Sequence, residues 1–133
     1  MPEESRLSLM NYRLEQAQAC LDAAIVLTEN GAYKDATNRS YYCVFHAMRA
    51  VLALDSYDSK KHSGIISVFR QKYIKTGVFP VELSDTIEAA FQARGSSDYE
   101  DFFVISKEDV QQQIENAKVF LTTIKKYIET IQN

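Results

Sequence analysis

The chain has 133 residues, of which 46% are hydrophobic and 25% charged, and these values fit one globular domain and exclude a disordered segment. A formal net charge of −3 at pH 7 excludes a protein that coats nucleic acid nonspecifically, since such proteins carry a large positive charge. The longest wholly apolar runs, such as Ala23–Leu27, have five residues, whereas a helix that crosses a bilayer needs about 20.

The start of the chain and its two cysteines favour the cytoplasm. The first residues, MPEESRLS, are acidic and contain no apolar stretch of the kind that forms a secretion signal. Cys20 and Cys43 have no zinc-binding spacing and are interpreted as two reduced thiols in a packed core. We therefore expect a cytoplasmic protein without a membrane-spanning segment.

Helical periodicity dominates the first half of the chain. Apolar residues spaced alternately three and four apart predict a first helix over Glu3–Glu29, which Asn30 and Gly31 end in a left-handed turn. These apolar positions are Leu7, Met10, Leu14, Ala17, Leu21, Ala24 and Thr28. A second helix over Ala32–Leu54 follows almost at once, so the two helices should form an antiparallel hairpin.

A third helix is predicted over Ser63–Lys75, where Thr76 and Gly77 stop it, and Pro80 suits the first turn of a fourth. Gly95 and the two serines after it should break this fourth helix, so that the acidic residues that follow lie in a loop.

Ser106 is a suitable N-cap for the last helix. Five helices with short connections predict an all-α fold, an up-down bundle of four to five helices that forms a single domain over residues 1–133.

The second helix carries the most informative pattern, because its bulky apolar and its polar side chains fall on opposite faces at about 100° per residue. The apolar face consists of Tyr41, Val44, Phe45, Met48, Val51 and Leu52. The polar face consists of Asp35, Arg39, Tyr42, His46 and Arg49. The residues beside the polar face are all small: Ala36, Cys43, Ala47, Ala50 and Ala53. We interpret the polar face as one wall of a cleft, whose opposing wall is the same helix of a second subunit in a homodimer.

Arg39, His46 and Tyr42 contain the groups that metal-free RNA cleavage needs. A histidine exchanges protons at neutral pH, and a guanidinium clamps phosphate through two parallel hydrogen bonds. His46 would help the ribose 2′-OH attack the adjacent phosphate, and Arg39 would stabilise charge on the phosphoryl oxygens. Tyr42 would orient the phosphate or the histidine. An arginine and a histidine in register also occur by chance as solvated side chains, so the spacing alone does not establish a site.

The stretch Tyr33–Ala50, which contains Arg39 and His46, resembles the signature of HEPN domains, in particular a short stand-alone branch of them. Three further segments resemble that branch in the same order: Lys61–Phe69, Tyr73–Gly77 and Arg94–Asp101. The likeness therefore covers nearly the whole chain.

This resemblance implies a dimeric bundle of four or five helices, like the substrate-binding subunits of nucleotidyltransferases, with an Arg-x4-6-His motif at the dimer cleft. Many members resemble metal-independent ribonucleases, and some act as the toxin beside a minimal nucleotidyltransferase antitoxin. Arg39 and His46 match the motif, and Tyr42 matches a frequent aromatic within it. In toxins silenced by adenylylation a tyrosine follows the histidine by two positions. Met48 stands there in this chain, which puts that mode of control in doubt.

Four other residues are weaker candidates for binding phosphate or a nucleotide. They are His62, Lys61, Arg49 and Arg94. The N-terminal amides of the third helix would support a phosphate near His62, but a plain surface histidine is the competing interpretation. Asp98, Tyr99 and Asp101 resemble a family pattern, although acidic residues in loops are usually only solvated.

Two functions of different classes fit the same residues. The first is a metal-independent endoribonuclease of HEPN type that cleaves RNA at a dimer cleft, with no metal or cofactor, as the toxin of a toxin–antitoxin pair. The alternative is a noncatalytic subunit that binds a nucleotide or docks a minimal nucleotidyltransferase. Residues 55–80 hold five basic and two acidic side chains, so this strip could meet phosphate despite the acidic total.

Overall fold

The computed structural model describes residues 2–101 and 103–132, and every regular element in this part of the chain is helical. The α-helices are α1 (Glu3–Glu29), α2 (Tyr33–Leu54), α3 (His62–Phe69), α4 (Glu82–Tyr99) and α5 (Lys107–Gln132). A short π-helical segment, Arg70–Ile74, continues α3. The predicted all-α bundle is confirmed. Among the helices described here, none is both long and apolar enough to span a bilayer.

The turn between α1 and α2 forms as the sequence predicts. Gly31 has a φ of 78°, a conformation that glycine adopts without strain. The N–H groups of Gly31 and Ala32 donate to the carbonyls of Thr28 and Leu27, at 3.1 and 2.8 Å. This Schellman arrangement satisfies the last carbonyls of α1 and turns the chain back at once.

Side chains of α1 show that α2 runs antiparallel to it. Arg6 Nη1 donates to the carbonyl of Leu54 at 2.8 Å, and Arg13 Nη1 donates to the carbonyl of Arg49 at 3.0 Å. Residues near the start of α1 therefore meet the end of α2, which confirms the predicted hairpin.

The central helix of the bundle is α2, which contacts α1, α3, α4 and α5. The whole predicted apolar face is buried: Tyr41, Val44, Phe45, Met48, Val51 and Leu52. The small residues are no more than 1% exposed either: Ala36, Cys43, Ala47, Ala50 and Ala53. The chain itself covers them, with α1 as the most extensive neighbour of α2. Within one chain these small residues therefore allow another helix to pack closely against α2, which is one of the two roles that small side chains predict.

The fourth helix differs from the prediction, since it continues without a break to Tyr99. Ser97 is fully buried, and its hydroxyl donates to the carbonyl of Lys34 in α2 at 3.5 Å. Arg94 and Asp98, one turn apart, form an ion pair across the intervening glycine. These contacts outweigh the low helix propensity of glycine and serine. Asp98 and Tyr99 thus belong to the last turn of α4, not to a loop.

Smaller differences occur at other helix boundaries. The predicted third helix is divided between α3 and the π-helical segment, and Gly77, with a φ of 81°, follows it as expected. Pro80 precedes α4 by two residues instead of lying in its first turn, yet its carbonyl accepts a 3.1 Å hydrogen bond from that turn. Ser106 caps α5 as predicted, because its hydroxyl accepts a 3.1 Å hydrogen bond from the N–H of Asp109.

We expect Gly95→Ala to raise the free energy of unfolding by about 0.5–1 kcal/mol, because alanine loses less entropy inside a helix. A Cβ at Gly95 would meet no atom within 4 Å. Gly31→Ala is the matched control, since its surroundings are equally open but its positive φ strains alanine, so it should lower stability by roughly 1 kcal/mol. Urea unfolding of both variants measures the difference. A destabilised Gly95→Ala would mean that α4 breaks at the glycine.

Candidate functional site

The polar face of α2 is only partly open to solvent. Tyr42, His46 and Arg49 are half-buried, whereas Asp35 and Arg39 are exposed. The half-buried residues lie from the middle of the helix onward, where Arg13 of α1, Asp58 of the connection to α3 and Arg94 of α4 approach. We call the half-buried surface around Tyr42 and His46 the α2 cleft, after the cleft that the sequence predicts at this face of the helix.

Aromatic rings bring both histidines of the chain to the α2 cleft. The ring centroid of His46 lies 5.8 Å from that of Tyr42 and 5.9 Å from that of Phe45. His62, the first residue of α3, stacks on Phe45 at 4.1 Å and meets Tyr42 edge-on at 5.8 Å. Its Nδ1 atom lies 2.7 Å from the hydroxyl of Tyr41, within hydrogen-bonding distance. The fold thus places His62, a weak candidate in the sequence, beside the motif histidine.

The surroundings of His46 disfavour its charged form. Burial is the largest cause, and the positive charges of Arg49, Arg13 and His62 act in the same direction, so that the pKa of His46 falls to about 4. Its Nδ1 atom is buried and has no hydrogen-bond partner among the described residues. At pH 7 the imidazole is neutral and can accept a proton.

Arg13 of α1 belongs to this cluster, although sequence analysis did not identify it. It is 4% exposed, and its Nη2 donates to Oδ2 of Asp58 at 3.1 Å while its Nη1 binds the Arg49 carbonyl. Arg49 Nη2 donates to both oxygens of Asp58, at 3.3 and 3.2 Å. Burial raises the pKa of Asp58, but the N–H of Ser59 and the two guanidiniums outweigh it, so this carboxylate remains ionised.

The sequence did contain a signal for Arg13. It lies three residues after Met10 and four before Ala17, in register with the apolar stripe of α1. An arginine at such a position must be buried with a partner, because an isolated buried charge is strongly unfavourable. Tyr41 gave a similar signal, since a tyrosine on a core face usually finds a partner for its hydroxyl.

Arg94 of α4 covers the other side of the α2 cleft. Its guanidinium lies over the rings of Tyr41 and Tyr42, 5.2 and 5.7 Å from their centroids, and its Nη2 lies 3.5 Å from the Tyr42 hydroxyl. Its Nε is 2.9 Å from Oδ2 of Asp98, but the N–H is not directed at that oxygen, so the contact is an ion pair and not a hydrogen bond. Asp98 therefore reaches the edge of the cleft through Arg94.

Other candidate residues lie away from this cluster. Arg39 is exposed and approaches the thiol of Cys20, where burial raises the pKa of the thiol and the guanidinium offsets part of that rise. Lys61 is exposed, and none of the described residues hydrogen-bonds to its amino group. Tyr99 is 81% exposed, and Asp101 is exposed as well. Within one chain, the structure therefore joins Tyr42, His46, Arg49, His62 and Arg94, but not Arg39 or Lys61.

Unsatisfied nitrogen atoms are concentrated in the α2 cleft. Among the described residues, the buried side-chain nitrogens without a hydrogen-bond partner are His46 Nδ1, Arg49 Nε, Arg94 Nε and Arg6 Nε. Three of these four belong to the cluster, and two of those three are guanidinium donors. Such donors are suited to the oxygens of an anion, phosphate above all.

Comparison with known proteins gives a consistent result. The family model of the HEPN domain matches residues 10–127. A UPF0332 protein of Thermotoga maritima is 32% identical over 124 residues, which cover 93% of this chain and 94% of that protein. A Methanocaldococcus jannaschii protein named "Putative toxin MJ0142" is 32% identical over 131 residues, 92% of this chain and 89% of its own. Another from that organism, "Putative toxin MJ0605", is 31% identical over 118 residues, 89% and 87% of the two chains.

We expect the protein to lose stability through His46 as the pH falls from 6.5 to about 4. The pKa of this histidine is near 6.5 in the unfolded chain and about 4 in the folded one, so the unfolded state takes up the proton first. The contribution of neutral His46 to the free energy of unfolding is complete above pH 6.5 and is lost as the pH falls through the pKa of the folded state. Urea unfolding at several pH values in this range measures it.

The control for this experiment is His46→Asn, which keeps a polar side chain without a titrating ring. Other groups titrate in the same range in both proteins. The slope of the unfolding free energy against pH therefore differs between wild type and variant only by the contribution of His46. A titration of the His46 ring proton by NMR gives the folded pKa directly. Equal slopes, or a folded pKa near 6.5, would contradict the prediction.

Proposed function

Because the chain belongs to the HEPN domain family, we propose that it is a metal-independent endoribonuclease that acts in the cytoplasm as the toxin of a toxin–antitoxin pair. Two relatives carry toxin names, which supports the second part of the proposal. The single observation that carries the first part is the α2 cleft, where a neutral histidine, His46, lies among guanidiniums with unsatisfied donors. A proton acceptor beside an anion site is what cleavage by the ribose 2′-OH requires.

In the proposed reaction His46 removes the proton of the 2′-OH, and the 2′ oxygen attacks the adjacent phosphorus. The bond from phosphorus to the 5′ oxygen of the next nucleotide breaks, which leaves a 2′,3′-cyclic phosphate and a free 5′-OH. Guanidiniums stabilise the negative charge that develops on the phosphoryl oxygens. Tyr42, whose ring adjoins that of His46 and whose hydroxyl adjoins Arg94, orients the phosphate.

Arg39 takes part in this proposal as the phosphate clamp of a homodimer. Within one chain its exposed guanidinium lies toward Cys20, two turns from His46 along α2. A two-fold axis beside α2 would bring the Arg39 of one protomer toward the cleft of its partner, because the two helices then face each other. The exposure of Arg39 supports this arrangement, since the side chain remains free to reach across an interface.

The alternative function, a noncatalytic subunit that binds a nucleotide or docks a nucleotidyltransferase, has one observation in its favour. The low pKa of His46 leaves an uncharged ring and a set of fixed guanidiniums, which suffices to hold a phosphate without any proton transfer. Both functions use the same residues, and only the fate of RNA distinguishes them.

We expect the wild-type protein to cleave a mixed RNA pool in EDTA and to leave cyclic-phosphate ends. His46→Ala should slow cleavage by about 10²–10⁴-fold because it removes the base, and Arg39→Ala by about 10²–10³-fold because it removes charge stabilisation. Gel analysis of end-labelled RNA, with the ends identified enzymatically, measures both. Lys118→Ala, which removes an exposed cation of α5 that pairs with Glu115, controls for loss of positive charge and should cleave normally.

Absence of cyclic-phosphate ends with the wild-type protein would contradict the ribonuclease proposal. In that case binding of a nucleotide that is lost in His46→Ala would support the alternative function. Cleavage that persists in all variants would point to a contaminating nuclease.

We also expect the two inactive variants to complement each other when mixed under conditions that exchange subunits. If Arg39 acts on the partner's cleft, a mixed dimer has one intact site, so an equal mixture should regain roughly a quarter of wild-type activity. Sedimentation velocity should show a dimer at micromolar concentration. A monomer at that concentration, or no recovery on mixing, would exclude the shared site.

A further inference from the structure

The chain contains two histidines, and the α2 cleft holds both of them. His46 comes from the motif on α2, whereas His62 comes from the start of α3, on the far side of the connecting loop. Both rings lie against the same two aromatic side chains, Tyr42 and Phe45. The charge of His62 is also one of the causes that lower the pKa of His46, so the two rings are electrostatic neighbours.

His62 is held more firmly than a surface histidine would be. Phe45 stacks on one face of its ring, and the Tyr41 hydroxyl lies 2.7 Å from its Nδ1. Tyr41 is itself 1% exposed, and burial raises its pKa to about 12, so its hydroxyl keeps its proton. Because Nδ1 faces Tyr41, the opposite nitrogen, Nε2, is the one available to a ligand.

From this juxtaposition we infer that His62 is the general acid of the cleavage reaction and that Tyr41 is its positioning residue. The inference rests on the proposed ribonuclease function and completes it, because attack by the 2′-OH needs a base and departure of the 5′ oxygen needs an acid. The R-x6-H motif supplies only one such group. Both would lie beside one phosphate, on the same pair of rings.

The proton balance of the step is complete with these two groups. His46 accepts the proton of the 2′-OH as the bond from the 2′ oxygen to phosphorus forms. His62 gives its Nε2 proton to the 5′ oxygen as the bond from that oxygen to phosphorus breaks. The enzyme is left with a protonated His46 and a neutral His62, and exchange with water restores both.

The charged groups that act on His62 come from α2 and α4. Arg49 of α2 and Arg94 of α4 are positive, and together with burial, which is the largest cause, they lower its pKa in the free protein. Asp98 is paired with Arg94, and Asp58 is paired with Arg49 and Arg13. A bound phosphate places negative charge beside both guanidiniums, and this favours the protonated histidine that an acid requires. In that form the hydroxyl oxygen of Tyr41 accepts the Nδ1–H, which leaves Nε2–H directed away from Tyr41.

The discriminating experiment compares two substrates that differ only in the leaving group. The leaving group of a uridyl dinucleotide is a 5′ alkoxide, which needs a proton from an acid. The leaving group of uridine 3′-(4-nitrophenyl phosphate) is a stable phenolate, which does not. We expect His62→Ala to slow cleavage of the dinucleotide by about 10²-fold or more and to leave cleavage of the aryl ester within about tenfold of wild type. His46→Ala should slow both substrates, because both need the base.

Two further variants keep the result independent of folding. Tyr41→Phe retains the ring, so it should fold normally, lower dinucleotide cleavage less than His62→Ala, and shift the NMR titration of the His62 ring. Ser63→Ala changes an exposed neighbour in α3 and should leave both rates unchanged. Thermal unfolding of each variant confirms that the fold is retained.

Each outcome decides the inference. Equal loss on both substrates in His62→Ala, or no loss on either, would overturn the role of His62 as acid and leave the ribonuclease proposal intact. An unshifted His62 titration in Tyr41→Phe would remove Tyr41 from the mechanism. Failure of the wild-type protein to cleave either substrate would overturn the ribonuclease proposal and this inference with it.

Discussion

The guanidinium of Arg13 connects the three parts of the chain on which the α2 cleft depends. It is buried in α1, donates to a backbone carbonyl of α2 at Arg49, and pairs with Asp58 in the connection between α2 and α3. A buried charge is tolerated only where it is paired and hydrogen-bonded, so the connection has to fold back over α1 to supply the carboxylate. This position of the connection determines where α3 begins. His62, its first residue, is thereby placed on Phe45 and within reach of the motif histidine.

The charge balance of the α2 cleft is opposite to that of the whole chain. The protein carries a formal net charge of −3, yet three guanidiniums meet only two carboxylates around the cleft. Burial and, after it, this surplus positive charge lower the pKa of both histidines in the free protein, and the positive charge also gives a phosphate its affinity. Binding and proton transfer are thus coupled, because the ligand that the guanidiniums attract would restore the basicity of the imidazoles.

Much of the fold could be predicted from periodicity, because the apolar stripes of the long helices and the glycine after α1 are local signals. The predicted break at Gly95 was wrong, since burial of Ser97 against α2 is a tertiary contact that propensity does not contain. In the site, too, local features could be predicted and tertiary contacts could not. Tyr42 and His46 could be found because they share a face of one helix, but the contributions of Arg13 and Tyr41 depend on how helices pack. The small residues beside the polar face predict a close neighbour, but the sequence does not state that this neighbour is α1 of the same chain.

The nitrogen atoms left without partners in the α2 cleft are unfavourable for the free protein. A buried polar atom without a hydrogen bond costs about 1–3 kcal/mol, which is a large fraction of the stability of a domain of this size. A role limited to packing would give no reason to gather three such atoms, from His46, Arg49 and Arg94, at one place on α2. Ring contacts and ion pairs with Asp58 and Asp98 keep these groups together at the cleft. Oxygen atoms of a bound phosphate or of a facing subunit would form hydrogen bonds with these groups. The free energy of those hydrogen bonds would then contribute to the affinity of the cleft for that partner.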